Sequence, residues 1–64
     1  MIYNVYAIRD NLTHFLSLTL DENDASATRN FRHAMMNPQS LMHTHPKDYD
    51  LYRLACFDIE TGMI

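Results

Sequence analysis

From Leu16 to Leu20 a leucine stands at every second position, with Ser17 and Thr19 between. Only an extended strand gathers such a period-two set on one side, because a helix would scatter it around its axis. Leu16, Leu18 and Leu20 then share one face, and Phe15, Ser17 and Thr19 the other. A face this apolar demands a cover, and the flanking segments are read for what supplies it.

Ile2 to Ile8 is rich in β-branched and aromatic residues and reads as a first strand, with Tyr3, Val5 and Ala7 on one side and Ile2, Asn4, Tyr6 and Ile8 on the other. Arg9-Asp10-Asn11 supplies turn chemistry and predicts a hairpin. After the second strand, Asp21-Glu22-Asn23-Asp24 offers N-cap side chains and acids suited to the positive end of a helix. Ala27, Phe31, Ala34 and Met35 then form one apolar stripe, expected to lie on the leucine face. Asn37-Pro38 ends the helix, with asparagine suited to a C-terminal cap.

Leu41-Met42-His43 reads as a short edge strand. Next comes the stretch that organises the last third of the chain, Thr44 to Tyr52. Pro46 fits the first position of a single helical turn capped by Thr44 or His45 and containing Asp48, with Tyr49 as its anchor. Leu51 to Ile59 forms the last strand, alternation placing Leu51, Arg53, Ala55, Phe57 and Ile59 opposite Tyr52, Leu54, Cys56 and Asp58. Glu60-Thr61-Gly62 is a turn, and Met63-Ile64 begins a further extended segment. These elements predict a single α+β domain over residues 1–64, in the order β-β-α-β, with one helix on one face of a three-stranded antiparallel sheet.

A chain of 64 residues buries only roughly 60% of the surface its unfolded form exposes, so its core is modest. Cys56 is the only cysteine, which excludes an internal disulfide and a four-thiolate zinc site, and it reads as a buried structural thiol. One helix covers one face of the sheet, yet the first and third strands are apolar on both. The uncovered face predicts a homo-oligomer, most simply a symmetric dimer, joined through some of Tyr3, Val5, Phe15 and Phe57 or through the opposite set. The formal net charge of −3 argues against non-specific coating of nucleic acid. With neither an export signal nor a long apolar run in view, the chain is expected to be soluble and not exported.

Few residues suggest chemistry. His43-Thr44-His45-Pro46 resembles the start of the zinc signature of JAMM-type isopeptidases, but Leu54 and Cys56 stand where that signature needs serine and aspartate. His43 and His45 remain weak metal candidates, with Asp48, Asp50 or a partner's histidine as further ligands. The competing reading has His45 capping the Pro46 turn and His14, His33 and His43 in solvent, with no cofactor. Arg29, Arg32 and Arg53, with Tyr49 and Tyr52, form a weak candidate set for phosphates and stacked single-stranded bases. No catalytic group is assigned, and the chain is read as a non-enzyme.

Tyr3-Asn4-Val5-Tyr6 with Ile8-Arg9-Asp10, Asn30-Phe31 with His33-Ala34, Thr44-His45-Pro46 with Asp48 to Tyr52, and Phe57-Asp58 with Thr61-Gly62 occur in an order that resembles the small nonstructural protein of gokushoviruses, single-stranded DNA phages of the Microviridae. The likeness spans nearly the whole chain. It departs at His14 and Leu18, where glycine and proline are expected, and at Leu54-Ala55-Cys56; many members also run past the position of Ile64. The resemblance implies a bacteriophage protein of the host bacterial cytoplasm, outside the capsid shell and off the membrane. It implies a part in DNA replication or the switch to DNA packaging, through contact with single-stranded DNA or the phage replication initiator. A different class of function is a module that binds a host protein through the exposed apolar sheet face.

Overall fold

The computed structural model describes residues 1–64. Strands β1 (Ile2–Asp10), β2 (Phe15–Asp21) and β3 (Tyr49–Asp58) form one antiparallel sheet in the order β2-β1-β3. Helix α1 (Asp24–Met35) carries the chain from β2 across to β3, followed by a one-turn helix α2 (Leu41–Thr44) and a 3-10 turn at Pro46–Asp48. The small α+β fold is the one expected from the sequence.

Local chemistry explains the boundaries. At the hairpin, the Asp10 carboxylate accepts the Leu12 N–H at 3.0 Å, and the Asp10 N–H donates to the His14 carbonyl at 3.0 Å. Asn23 caps α1, its side-chain oxygen accepting from the Ser26 N–H at 2.8 Å. The far end of α1 differs from expectation: Met36 is the C-cap in right-handed geometry, and Asn37 accepts the Gln39 N–H at 3.1 Å in a turn of its own. Gly62, at φ 78°, is the one left-handed residue and closes the turn after β3. Met63 doubles back, its carbonyl accepting the Asp58 N–H at 2.9 Å, so the final residues begin no separate strand.

The edge strand expected at Leu41-Met42-His43 is instead helix α2. Ser40 caps it, accepting the Met42 N–H at 3.1 Å, and the His43 ring Nδ1–H donates to the Met35 carbonyl at 3.0 Å. A strand needs a free ladder partner, whereas this stretch packs against the end of α1 and buries Met42. The Pro46 turn forms as expected, with Tyr49 buried behind it. His45 holds its N-cap position through the backbone alone, its carbonyl accepting the Asp48 N–H at 3.1 Å. The His45 ring pairs with the Thr44 hydroxyl at 2.7 Å, so neither side chain caps the turn. Asn11 ties the hairpin to this region, its N–H reaching the Asp48 carbonyl at 2.8 Å and its amide the Asp50 carboxylate at 2.8 Å.

Two irregularities reorganise the faces. Between Val5↔Ala55 and Tyr6↔Arg53 the register shifts, leaving Leu54 as the extra residue of a bulge. Tyr52, Ala55 and Phe57 consequently stand on the side of Tyr3, Val5 and Ala7, while Leu51, Arg53 and Cys56 stand on the side of Tyr6. A second shift leaves Leu16 and Ser17 opposite Ile8, so Phe15 pairs with Arg9 and joins the side of Leu18. Strict alternation had separated Leu54 from Ala55, and Phe15 from Leu18.

The helix lies on the other face from the one expected. Ala27, Phe31 and Ala34 of α1 share a cavity with Tyr6, Ile8, Ser17, Thr19 and Leu51, and of the three β2 leucines only Leu20 borders it. The short link from β2 directs this choice: Asp21 registers with Asn4 on the Tyr6 side and accepts the Asn30 amide at 2.8 Å, pulling α1 over that side. Ser17 and Thr19 are small enough to let the helix approach. A 12-residue helix reaches only about 18 Å, so the strand ends at Asn4 and Cys56 lie beyond its cover. Cys56 is therefore exposed rather than buried, its thiol donating to the Asn4 side chain at 3.6 Å.

Only Tyr6, Ala7, Ala27, Met42 and Tyr49 are buried. The radius of gyration is 12.7 Å, against about 10.7 Å for a compact domain of this length. The protein is a flat two-layer slab, one helix layer on one face of the sheet and nothing on the other.

Candidate functional site

The uncovered face defines the candidate site. Its floor is the face of the sheet turned away from α1, where Val5 of the central strand lies between Leu20 of β2 and Ala55 of β3. Leu18, Leu54, Phe57 and Ile64 complete a shallow groove of about 390 Å³ in which Thr19 is the only polar residue. Leu18 is 65% exposed and Leu54 48%, although both lie within strands of the sheet. The Leu54 bulge creates this continuity by turning Leu54 and Ala55 to the same side.

At the hairpin end the apolar floor gives way to an aromatic rim. Phe15 and Tyr52 meet edge to face at 5.3 Å, and the Arg9 guanidinium lies 5.0 Å from the Phe15 ring centre. Asp50 stands across from Arg9 in the β1–β3 ladder, so the only charges on this face are one of each sign. The open face thus sets aromatic and arginine side chains beside its apolar floor.

The covered side carries a polar chain that sequence reading missed. The Asn4 amide donates to the Tyr6 hydroxyl at 3.0 Å, Tyr6 donates to the Asp24 carboxylate at 2.6 Å, and Arg53 pairs with Asp24 at 3.1 Å. Burial, then the bond to Asp24, raises the Tyr6 phenol above its ordinary value. Asn4 and Tyr6, two apart on one strand, share a face and were a readable signal. Asp24 lies 18 residues further on and was not. Tyr49 is raised as well, by burial and then by Asp10 and Asp48. Hydrogen bonding by the Ser26 hydroxyl, the Glu22 N–H and Asn30 lowers Asp21, and the Glu60 N–H, Thr61 and the terminal ammonium lower Asp58.

The structure divides the nucleic-acid candidates. Arg29 and Arg32 line the outward side of α1 with His33, where Arg29 reaches only the Ser26 hydroxyl at 3.5 Å. Arg53 is engaged by Asp24, Tyr49 is buried beneath the Pro46 turn, and Tyr52 lies on the opposite face beside Phe15. No stacking platform joins the arginines. His43 and His45 are likewise each committed to a neighbour, and no group of three His, Cys, Asp or Glu side chains is placed to hold a metal ion. Thr44, His45, Pro46 and Asp48 are brought together as the structural turn. No helix is long and apolar enough to cross a membrane.

No curated protein and no solved structure matches the chain. The family model described as Phage ORF5 protein matches residues 3–64, all of the chain but its first two residues, and the chain belongs to that family of phage proteins.

Proposed function

We propose that this protein is a non-enzymatic phage accessory protein of the gokushovirus type, acting as an oligomer in the host cytoplasm. Its task is in single-stranded DNA replication or the switch to packaging. The observation that carries the reading is the open apolar face, with Val5, Leu18, Leu20, Leu54, Ala55 and Phe57 lining one groove. A net charge of −3 and the dispersal of the arginines favour the phage replication initiator over DNA as its direct partner.

Size-exclusion chromatography with light scattering, run alone, with a labelled single-stranded oligonucleotide and with the purified initiator, tests this. The expected result is an oligomer that co-migrates with the initiator. Co-migration with the oligonucleotide, weakening as salt rises, would move the contact to DNA and make Arg29 and Arg32 the next substitutions. Binding to neither overturns the replication role.

The aromatic rim of Phe15, Tyr52 and Arg9 favours a second reading, capture of a host protein. Co-purification of one bacterial protein from host lysate, lost on Tyr52→Ala, would support it.

A further inference from the structure

We infer that a second copy of this chain covers the open face, sheet against sheet about a two-fold axis, giving a four-layer α/β/β/α dimer. The inference deepens the oligomer in the proposed function and rests on that reading for its biological purpose alone. Three observations point to a second copy.

The first is area. The chain exposes 4899 Å², whereas a folded monomer of 7.5 kDa exposes about 4,250 Å². Two chains each hiding that excess of roughly 650 Å² would bury about 1,300 Å², above the ~1,000 Å² a specific interface needs. The second is charge. Although the molecule carries −3, its open face carries only Arg9 and Asp50, which stand opposite one another. Asp21 and Asp58 register on the α1 side, so two acidic copies meet through their neutral surfaces. A nucleic acid strand finds only Arg9 there, already over the Phe15 ring.

The third is the core. Only five residues are buried, and of these Ala7 alone registers on the open side, where Leu18 and Leu54 stay exposed; below roughly 70–80 residues oligomerisation is one of the usual remedies for so small a core. A cover required for folding must be present wherever the chain is made, and another copy always is. Stacked sheets lie about 10 Å apart, which lets Leu18 and Leu54 of each chain interdigitate with those of the other. The arrangement turns α1, with Arg29 and Arg32, outward on both sides of the dimer and leaves it free for a further partner.

Two measurements test the inference on the full chain. Light scattering gives mass, and the rate at which a small thiol reagent labels Leu18→Cys in a Cys56→Ser background gives the occupied face. The expected result is twice the monomer mass, with L18C labelling slowing several-fold as protein concentration rises. Wild-type Cys56, exposed on the α1 side, labels at a rate independent of concentration. A folded monomer overturns the inference, and so does a dimer in which L18C labels as fast at high concentration as at low. A dimer that binds neither initiator nor DNA leaves this inference standing and removes the replication role, whereas a monomer that binds the initiator does the reverse.

Discussion

Gly62 shows what one backbone angle requires. At φ 78° it occupies the left-handed region, and a Cβ built there meets nothing within 4 Å. Gly62→Ala should therefore cost only the intrinsic left-handed penalty, about 1 kcal/mol, with Gly62→Asn costing less. Urea unfolding of the three proteins checks this, and a neutral G62A would show that the turn relaxes. Charged residues set the pH response. Asp21 and Asp58 titrate below the ordinary 3.8 because the folded state bonds their carboxylates. Their stabilisation is complete above the unfolded value and disappears as pH falls through the lowered one. Asp21→Asn and Asp58→Asn should each lower stability at pH 7 and flatten its decline below pH 4, read from urea midpoints across pH. Tyr6 works in the opposite direction: its raised phenol contributes below pH 10.0 and loses that contribution as pH climbs through the folded value, so Tyr6→Phe should flatten the alkaline limb. Asn23 as the cap and Pro46 in its turn were legible because each acts within three residues. The Tyr6–Asp24 bond was not, because strand and helix must already be docked before it exists.

Among the elements, what sequence revealed and what it hid divide along the same line. Three strands and α1 are written in local periodicity, and all four occur. Alternation cannot announce a bulge, however, and the extra residues at Leu54 and at Leu16–Ser17 moved Tyr52, Ala55 and Phe15 to faces that strict counting denied them. The choice of covered face was hidden for a related reason. Leucines invite a helix, but the Asp21–Asn30 bond and the small Ser17 and Thr19 place α1 on the other side. Leu41 to Thr44 misled because four residues carry no period, and Ser40 as a cap together with the pocket for Met42 made the stretch helical. Met42 is then the main hydrophobic pin holding α2 and the Pro46 turn to the fold. Met42→Ala should cost about 2–3 kcal/mol. A chain of this length has only about 3–10 kcal/mol in total, so the variant should melt at a much lower temperature, as circular dichroism would show. A loss below about 1 kcal/mol would mean that α2 docks through the His43–Met35 bond instead.

At the scale of the whole molecule, the dimer inferred above would make folding and association one process. If two chains unfold from a dimer, the equilibrium constant carries units of concentration, and each tenfold increase in protein adds about 1.4 kcal/mol to the apparent stability of the dimer. The thermal midpoint should rise steadily with concentration over the micromolar range, and the slope should match the enthalpy measured in the same scans. Leu18→Glu places a charge in the open face, on its β2 side, with no cation on that face except Arg9 at its rim. That substitution should abolish the dependence and leave a chain that is monomeric and at most partly folded, because its five buried residues are a small core for 64. Leu12→Glu, in the exposed hairpin turn away from the groove, makes the same chemical change and should leave the slope intact. A midpoint that stays fixed across a hundredfold range of concentration would show that one layer of helix suffices to hold this sheet, and the open face would then be free for a partner from outside the family.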